Sequence, residues 1–125
     1  MKFDFIVLNG TQDLVNRLSK EFKLPRIVLD AKREIFRLIY KDLSLDFAKI
    51  TALTIIDDLK QRDLSINALA LPLSTQVLKH EDMFNELLDP CQGRKDLLNK
   101  SVRGIAKANF ESDPLRLLRA FRFAT

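Results

Sequence analysis

The chain has 125 residues, of which 46 % are hydrophobic and 30 % charged; this excludes a disordered polymer and favours one folded unit with a single core. Its net charge of +4 favours a polyanionic partner, although a basic surface that only maintains solubility has the same charge. One cysteine and one histidine exclude an internal disulfide and a Cys/His zinc site, and no apolar stretch reaches bilayer length. We therefore expect a cytoplasmic protein without membrane contact.

The first half of the chain predicts strands and one helix. Residues 2–8 alternate as a half-buried strand does, and Thr11 is expected to cap a helix that ends near residues 24–25. Three strand-like runs follow, separated by short polar turns: residues 26–30, 35–41 and 43–50. Strands this close in sequence favour antiparallel pairing.

The second half contains a strongly apolar segment, residues 62–71, which predicts a buried helix that Pro72 terminates. Shorter elements are expected beyond it: small strands at residues 76–79, 84–88 and 102–105, and a helix that starts at Arg94 after a turn at residues 89–93.

Asp63 and Asn67 are the polar exceptions within the apolar segment. Four residues apart on a helix, they share one face, and an unpaired buried carboxylate or amide costs on the order of several kcal/mol. Either Asp63 caps the helix and Asn67 binds a nearby loop, or both line a polar site. The residue types alone leave both interpretations open.

Two aspartates, Asp4 and Asp46, lie in predicted strands and point away from their apolar faces. If the two strands are neighbours, the carboxylates could meet on one open face and bind Mg²⁺, a cation that prefers carboxylate oxygens. The alternative is that both are solvated positions on amphipathic strands.

The last predicted helix starts at Asp113, whose carboxylate can accept hydrogen bonds from first-turn amides, with Pro114 at the first helical position. It carries three arginines at a spacing of three residues: Arg116, Arg119 and Arg122. Such a face suits a phosphate ligand, since guanidinium groups match phosphate oxygens in pairs. Pairing with acids such as Asp113 would also account for it.

Three segments resemble the head domain of the tRNA nucleotidyltransferase and bacterial poly(A) polymerase family. Residues 62–70, Arg-Asp-Leu-Ser-Ile-Asn-Ala-Leu-Ala, are similar to the motif that lines the family's nucleotide site. Residues 113–124 resemble the helix that joins head to neck, and the segments around Asp4 and Asp46 resemble the acid-bearing strands. Residues 88–103 are similar to the turn and helix that connect the motifs, which we interpret as structural.

The resemblance implies an α/β (α+β) fold of the nucleotidyltransferase type. Its mixed, largely antiparallel sheet of about four to five strands would be flanked by helices and incomplete at the N-terminus. Residues 1–112 would form a partial head domain, and residues 113–125 would begin the helix that links it to a missing neck.

The resemblance also implies a template-independent transfer of CMP or AMP from CTP or ATP to the 3′ end of a tRNA or another RNA. Asp4 and Asp46 would be catalytic carboxylates that hold Mg²⁺. Five residues would bind the nucleotide: Arg62, Asp63, Asn67, Arg116 and Arg119.

Two departures from the family pattern lie near the start of the chain. The opening Gly-Gly turn and Arg-Asp pair have no counterpart, and Lys2 occupies the position of the first metal-binding acid. We therefore expect a fragment of such an enzyme that is inactive alone. The alternative is a naturally short, inactive module that binds nucleotide or RNA or serves as an interaction domain. The sequence leaves open which nucleotides the parent adds, whether CCA, CC, A or poly(A), and its oligomeric state.

Overall fold

The structure, a computed structural model, describes residues 1–73 and 83–124. The chain divides into two compact units, Met1–Thr51 and Ala52–Thr125. The domain boundary predicted between residues 112 and 113 falls inside the second unit and stays a prediction. None of the helices in the described residues is long and apolar enough to cross a membrane.

The first unit is a four-stranded sheet with one helix. Its elements, in chain order, are β1 (Lys2–Val7), α1 (Thr11–Phe22), β2 (Arg26–Asp30), β3 (Ile35–Tyr40) and β4 (Leu43–Lys49). The strand order is β1-β4-β3-β2; β2 and β4 pair antiparallel with β3, and β1 pairs parallel with β4. This confirms the predicted mixed, largely antiparallel sheet, and the predicted strand boundaries hold to within one residue.

The core of the first unit lies between α1 and one face of the sheet. Four buried residues form it: Val15 of α1, Phe36, Leu38 and Phe47. Phe5 stacks on Phe47 with ring centroids 4.9 Å apart, so the apolar side of β1 is fixed against β4. Such offset aromatic pairs add to the stabilisation from buried area.

The cap predicted at Thr11 is wrong. Thr11 is the first residue of α1 and is buried, and the cap position is taken by Gly10 at φ 67°, a left-handed conformation that glycine adopts without strain. Within the described residues, the Thr11 hydroxyl oxygen has no hydrogen-bond partner.

In the described residues, the second unit consists of short elements. They are helices α2 (Ile55–Lys60), α3 (Gly93–Leu98), α4 (Lys107–Ser112) and α5 (Arg116–Ala124), and 3₁₀ turns at Ser65–Asn67 and Met83–Glu86. The helix expected from Arg94 is therefore confirmed as α3, whereas α4 was not predicted.

The helix predicted over residues 62–71 is wrong. Two isolated antiparallel bridges, Leu64 to Gly104 and Ala70 to Leu88, flank the Ser65–Asn67 turn instead. Asp63 Oδ1 accepts a hydrogen bond from the Leu64 amide at 2.7 Å, and such local bonds divert the backbone from a helix. The segment is an irregular strand and turn, and it is buried only in part, at Asp63, Leu64, Ser65 and Ala68.

The three small strands predicted in the second half of the chain are not confirmed as regular strands. Residues 102–105 contribute only the Gly104 bridge, and the segment predicted as a strand at 84–88 begins in a 3₁₀ turn and pairs only at Leu88. The strand expected at residues 76–79 lies outside the described residues.

The final helix begins at Arg116, two residues after Pro114, the predicted first helical position. Asp113 is extended, at φ −148° and ψ 88°, because the proline that follows disfavours a helical conformation at the residue before it. The turn closes with a hydrogen bond from the Arg116 amide to the Asp113 carbonyl, 3.1 Å.

Leu38→Ala should lower the free energy of unfolding of the first unit by about 2–5 kcal/mol, because Leu38 is fully buried and its loss leaves a cavity. Urea denaturation followed by the fluorescence of Tyr40 measures this, since Tyr40 is the only tyrosine and the chain has no tryptophan. Leu8→Ala, at a largely exposed position of the same unit, should change the free energy by less than about 0.5 kcal/mol. Equal effects of the two substitutions would contradict this core.

Candidate functional site

The two aspartates of the first unit are brought together by the sheet. In the parallel register of β1 on β4, Asp4 lies directly beside Asp46. Asp46 is buried, whereas two thirds of the Asp4 side chain, 67 %, is exposed. The two carboxylates therefore share one face of the sheet, as the strand pattern predicted, but in different surroundings.

Arg37 holds Asp46 in a bidentate ion pair. Arg37 Nε donates to Asp46 Oδ1 at 2.7 Å and Nη2 donates to Oδ2 at 3.0 Å. These hydrogen bonds are the main cause that lowers the pKa of Asp46; burial opposes them, and the charges of Arg37 and Lys2 add to the lowering. The same carboxylate raises the pKa of Arg37 above its ordinary value.

Arg37 was not among the residues predicted for the site, although the hairpin contains a signal for it. A tight turn at Lys41 and Asp42 pairs Tyr40 with Leu43, and counting back along both strands places Arg37 opposite Asp46. Directly opposed residues of unlike charge on an antiparallel pair attract each other. The turn length therefore predicts the ion pair once the hairpin is recognised.

Lys2 lies between the two aspartates. Its Nζ is 3.5 Å from Asp4 Oδ1 and 3.6 Å from Asp46 Oδ2. Mg²⁺ requires carboxylate oxygens that can turn toward it, but both oxygens of Asp46 already accept hydrogen bonds from Arg37. In the part of the chain that the structure describes, no group of three or more His, Cys, Asp or Glu side chains could hold a metal ion. As placed, the pair does not fit a divalent cation.

Asp63 and Asn67 of the second unit contact each other, although not through a helix. Asn67 Nδ2 lies 3.4 Å from Asp63 Oδ1, so the 3₁₀ turn brings together the two residues that a helix was expected to align. Asp63 is buried, and Arg119 Nη1 lies 3.1 Å from its Oδ2 in an ion pair. Their predicted role in nucleotide binding stays a prediction.

Arg62 and Arg116 are tied to the same segment. Arg62 Nη2 donates to Asp58 Oδ1 at 3.1 Å, and Asp58 is buried. Arg116 Nη1 donates to the carbonyl oxygens of Gln61 at 3.1 Å and Asn109 at 2.8 Å. All five residues predicted to bind nucleotide therefore lie in the second unit, either on the segment of residues 61–67 or in contact with it.

Asn109, on the unpredicted helix α4, binds the backbone where this segment begins. Its Nδ2 donates to the carbonyl oxygens of Lys60 at 2.9 Å and Arg62 at 2.8 Å. The second bond satisfies the Arg62 carbonyl, an acceptor that a helix through residues 62–71 would have used internally. Nothing in the local sequence around Asn109 indicates this role, because its partners lie almost fifty residues earlier.

Asp96 of α3 anchors the 3₁₀ turn from the other side. Its Oδ2 accepts hydrogen bonds from the Ser65 hydroxyl and, at 3.0 Å, from Arg103 Nε. The bond from Ser65 is the main cause that lowers the pKa of Asp96; burial opposes it, and Arg103 and Lys95 add to it. The Asp89 carboxylate caps α3 by accepting from the Gly93 amide at 2.6 Å.

The fold is that of a nucleotidyltransferase. The chain is similar to a solved structure described as a tRNA nucleotidyltransferase complexed with a primer tRNA and an incoming ATP analog, with a TM-score of 0.78, 28 % identity, and coverage of 98 % of this chain and 35 % of that one. More narrowly, residues 11–103 match the family model described as the Poly A polymerase head domain. The chain belongs to this family.

Two relatives of the chain are named as tRNA nucleotidyltransferases. The chain is 32 % identical to the CC-adding enzyme of Synechocystis sp. over 124 residues, which cover 99 % of this chain and 28 % of that protein. It is 44 % identical to the A-adding enzyme of Halalkalibacterium halodurans over 71 residues, or 57 % of this chain and 15 % of that protein. The chain thus spans less than a third of these relatives. The resemblance inferred from the sequence is confirmed.

Gly93→Ala should lower the free energy of unfolding by about 1–3 kcal/mol, because a Cβ atom at this position would overlap the Ser65 carbonyl oxygen and force α3 away from the turn. Urea denaturation followed by far-UV circular dichroism measures this. Gly10→Ala is the comparison: its Cβ meets open space and only the left-handed φ of 67° opposes it, at a cost of about 1 kcal/mol. A Gly93→Ala protein as stable as wild type would contradict the close contact.

Asp46 should make the stability of the first unit depend on acid. Its native pKa lies below the unfolded value of about 3.9, so the unfolded state binds the proton first. Asp46 contributes its full stabilisation above the unfolded-state pKa, and this contribution is lost as the pH falls through the lower native pKa. The free energy of unfolding, followed by Tyr40 fluorescence between about pH 5 and pH 2, should fall more steeply for wild type than for Asp46→Asn. Identical slopes would show that Asp46 is not held as a carboxylate.

Proposed function

We propose that the chain is part of the head of a template-independent RNA nucleotidyltransferase, which transfers CMP or AMP from CTP or ATP to the 3′ end of a tRNA or another RNA. In that reaction the RNA 3′-hydroxyl attacks the α-phosphate and pyrophosphate leaves. The observation that carries the proposal is that two arginines of α5 contact the segment of the family motif. Arg119 pairs with Asp63, and Arg116 binds the Gln61 carbonyl directly before the motif. The relatives are named as tRNA nucleotidyltransferases, which supports an RNA 3′ end as the acceptor of the nucleotide.

In this proposal the arginines bind the triphosphate. The side chain of Arg62 is 39 % exposed and that of Arg119 is 51 % exposed, so an anion can reach both guanidinium groups. Arg62 is oriented by its hydrogen bond to the buried Asp58, and Arg119 is held near the motif by its ion pair with the buried Asp63. A guanidinium group that is already restrained loses less side-chain entropy when it binds a phosphate.

Asp63, Asn67 and Arg116 shape the rest of the nucleotide site. The Asn67 amide can bond a sugar hydroxyl while its contact with Asp63 fixes its orientation. Arg116 binds two backbone carbonyls and lies 3.9 Å from Asp113 through its Nε. We infer that Arg116 serves the site by holding the Gln61 backbone next to Arg62 as well as by its charge.

Asp4 and Asp46 are proposed to stand at the positions of the catalytic carboxylates. Mg²⁺, which the family resemblance implies, would neutralise the triphosphate in a complete enzyme. Because the pair in this chain is bound to Lys2 and Arg37, the proposal assigns no step to a metal ion held by these residues. This supports the expectation that the chain is inactive alone.

The second candidate function is an inactive module that binds nucleotide or RNA. The position of Lys2 favours it, because an ammonium group between two carboxylates opposes a divalent cation. Both candidates share the nucleotide site of the second unit. They differ in whether a longer protein that contains this head transfers labelled CMP or AMP to a tRNA that lacks its CCA end.

Asn67→Ala should weaken the binding of ATP and CTP to the chain by about three- to tenfold, as expected for the loss of one ligand hydrogen bond. Isothermal titration calorimetry with each nucleotide measures this.

Asn99→Ala is the matched control, since Asn99 is an exposed asparagine of the same unit at the end of α3. It should leave both affinities unchanged. Equal affinities for Asn67→Ala and wild type would remove Asn67 from the site, and a wild-type chain that binds neither nucleotide would contradict the proposed function.

A further inference from the structure

The charged face of the first unit is electrically balanced by its own side chains. Two carboxylates, Asp4 and Asp46, face two cations, Lys2 and Arg37, and every ion pair in the set is 3.6 Å or shorter. The ordinary attraction of a carboxylate pair for a divalent cation comes from uncompensated negative charge. Here that charge is already compensated within the chain.

Lys2 occupies the position between the two carboxylates. It lies two residues before Asp4 on β1, so both side chains point to the same face of the sheet. Its Nζ is almost equidistant from the two aspartates, at 3.5 Å and 3.6 Å. An ion that bridges Asp4 and Asp46 would have to displace this ammonium group.

Arg37 adds a second obstacle at Asp46. Both of its hydrogen bonds go to the two oxygens of the same carboxylate, and this geometry is the strongest that an arginine makes with an acid. A metal ion would therefore compete with the bidentate Arg37 at Asp46 and with Lys2 at Asp4.

We infer that the Lys2 ammonium takes the place of a divalent cation between Asp4 and Asp46, so that the first unit is closed to Mg²⁺, and that Lys2→Asp opens it. Access is open on the β1 side, because 53 % of the Lys2 side chain and 67 % of the Asp4 side chain are exposed, whereas Asp46 is buried and stays bound to Arg37. The replacement of Lys2 by aspartate removes the ammonium group and adds a carboxylate on the same exposed face as Asp4, so it changes the preference on that side. The inference concerns the first unit alone and does not depend on nucleotide binding by the second.

The test is Mn²⁺ binding to the 125-residue chain, measured by the electron paramagnetic resonance signal of free Mn²⁺ at pH 7, with Mg²⁺ as competitor. Lys2→Asp should bind Mn²⁺ at least about tenfold more tightly than wild type, because it replaces a repelling charge with an attracting one at contact distance. Lys2→Gln, which removes only the charge, should bind with intermediate affinity. The melting temperature of Lys2→Asp, but not of wild type, should rise on addition of Mn²⁺.

Lys49→Gln is the matched control. Lys49 lies on the same sheet, pairs with Glu34 at 3.3 Å, and its side chain is 54 % exposed, against 53 % for Lys2. This variant should bind Mn²⁺ no more tightly than wild type. An equal gain for Lys49→Gln and the Lys2 variants would show a general effect of charge and overturn the inference.

Two further outcomes would also overturn it. One is a wild-type chain that binds Mn²⁺ as tightly as Lys2→Asp. The other, which applies even if Lys2→Asp does not fold, is a Lys2→Gln chain with unchanged Mn²⁺ affinity. Loss of ATP and CTP binding would count against the proposed function and leave this measurement unaffected.

Discussion

The parallel register of β1 on β4 determines both faces of the first unit. It sets Phe5 against Phe47 in the core and, one residue earlier on each strand, Asp4 against Asp46 on the opposite face. Because side chains alternate along a strand, a shift of one residue would exchange the two faces. The aromatic stack therefore also holds the carboxylates together, and the charged cluster is possible only because the apolar side of the sheet fixes the register.

Buried aspartates paired with arginines recur throughout the described residues. Four aspartates are buried, and each has an arginine nitrogen within 3.1 Å: Asp46 with Arg37, Asp58 with Arg62, Asp63 with Arg119 and Asp96 with Arg103. A buried carboxylate without such a partner would be strongly destabilising. Part of the basic character of the chain therefore serves its own structure, so the net charge of +4 is a weaker indication of a polyanionic partner than it first suggests.

Local patterns predicted the first unit well and the second poorly, for a physical reason. The strands of the sheet are marked by alternation and short turns, which are local properties. The segment after Arg62 is shaped by distant partners: Leu64 pairs with Gly104, and Gly93 allows α3 to contact Ser65. The proximity of Asp63 and Asn67 was predicted correctly although their element was not, because a spacing of four residues can also be closed by a 3₁₀ turn. The bidentate partner of Asp46 was missed because it depends on strand pairing.

The same pairing of aspartate with a cation has opposite consequences at the two candidate sites. In the second unit Asp58 and Asp63 are buried, whereas their partners Arg62 and Arg119 are 39 % and 51 % exposed. Each acid therefore restrains a guanidinium group that can still meet an anion. In the proposed function, these arginines bind the triphosphate of the nucleotide. In the first unit Asp4 is the more exposed partner, and Lys2 lies where a ligand of the carboxylates would bind. On these two proposals, aspartate holds a cation in place for ligand binding in one unit, whereas in the other the cation takes the place of the ligand.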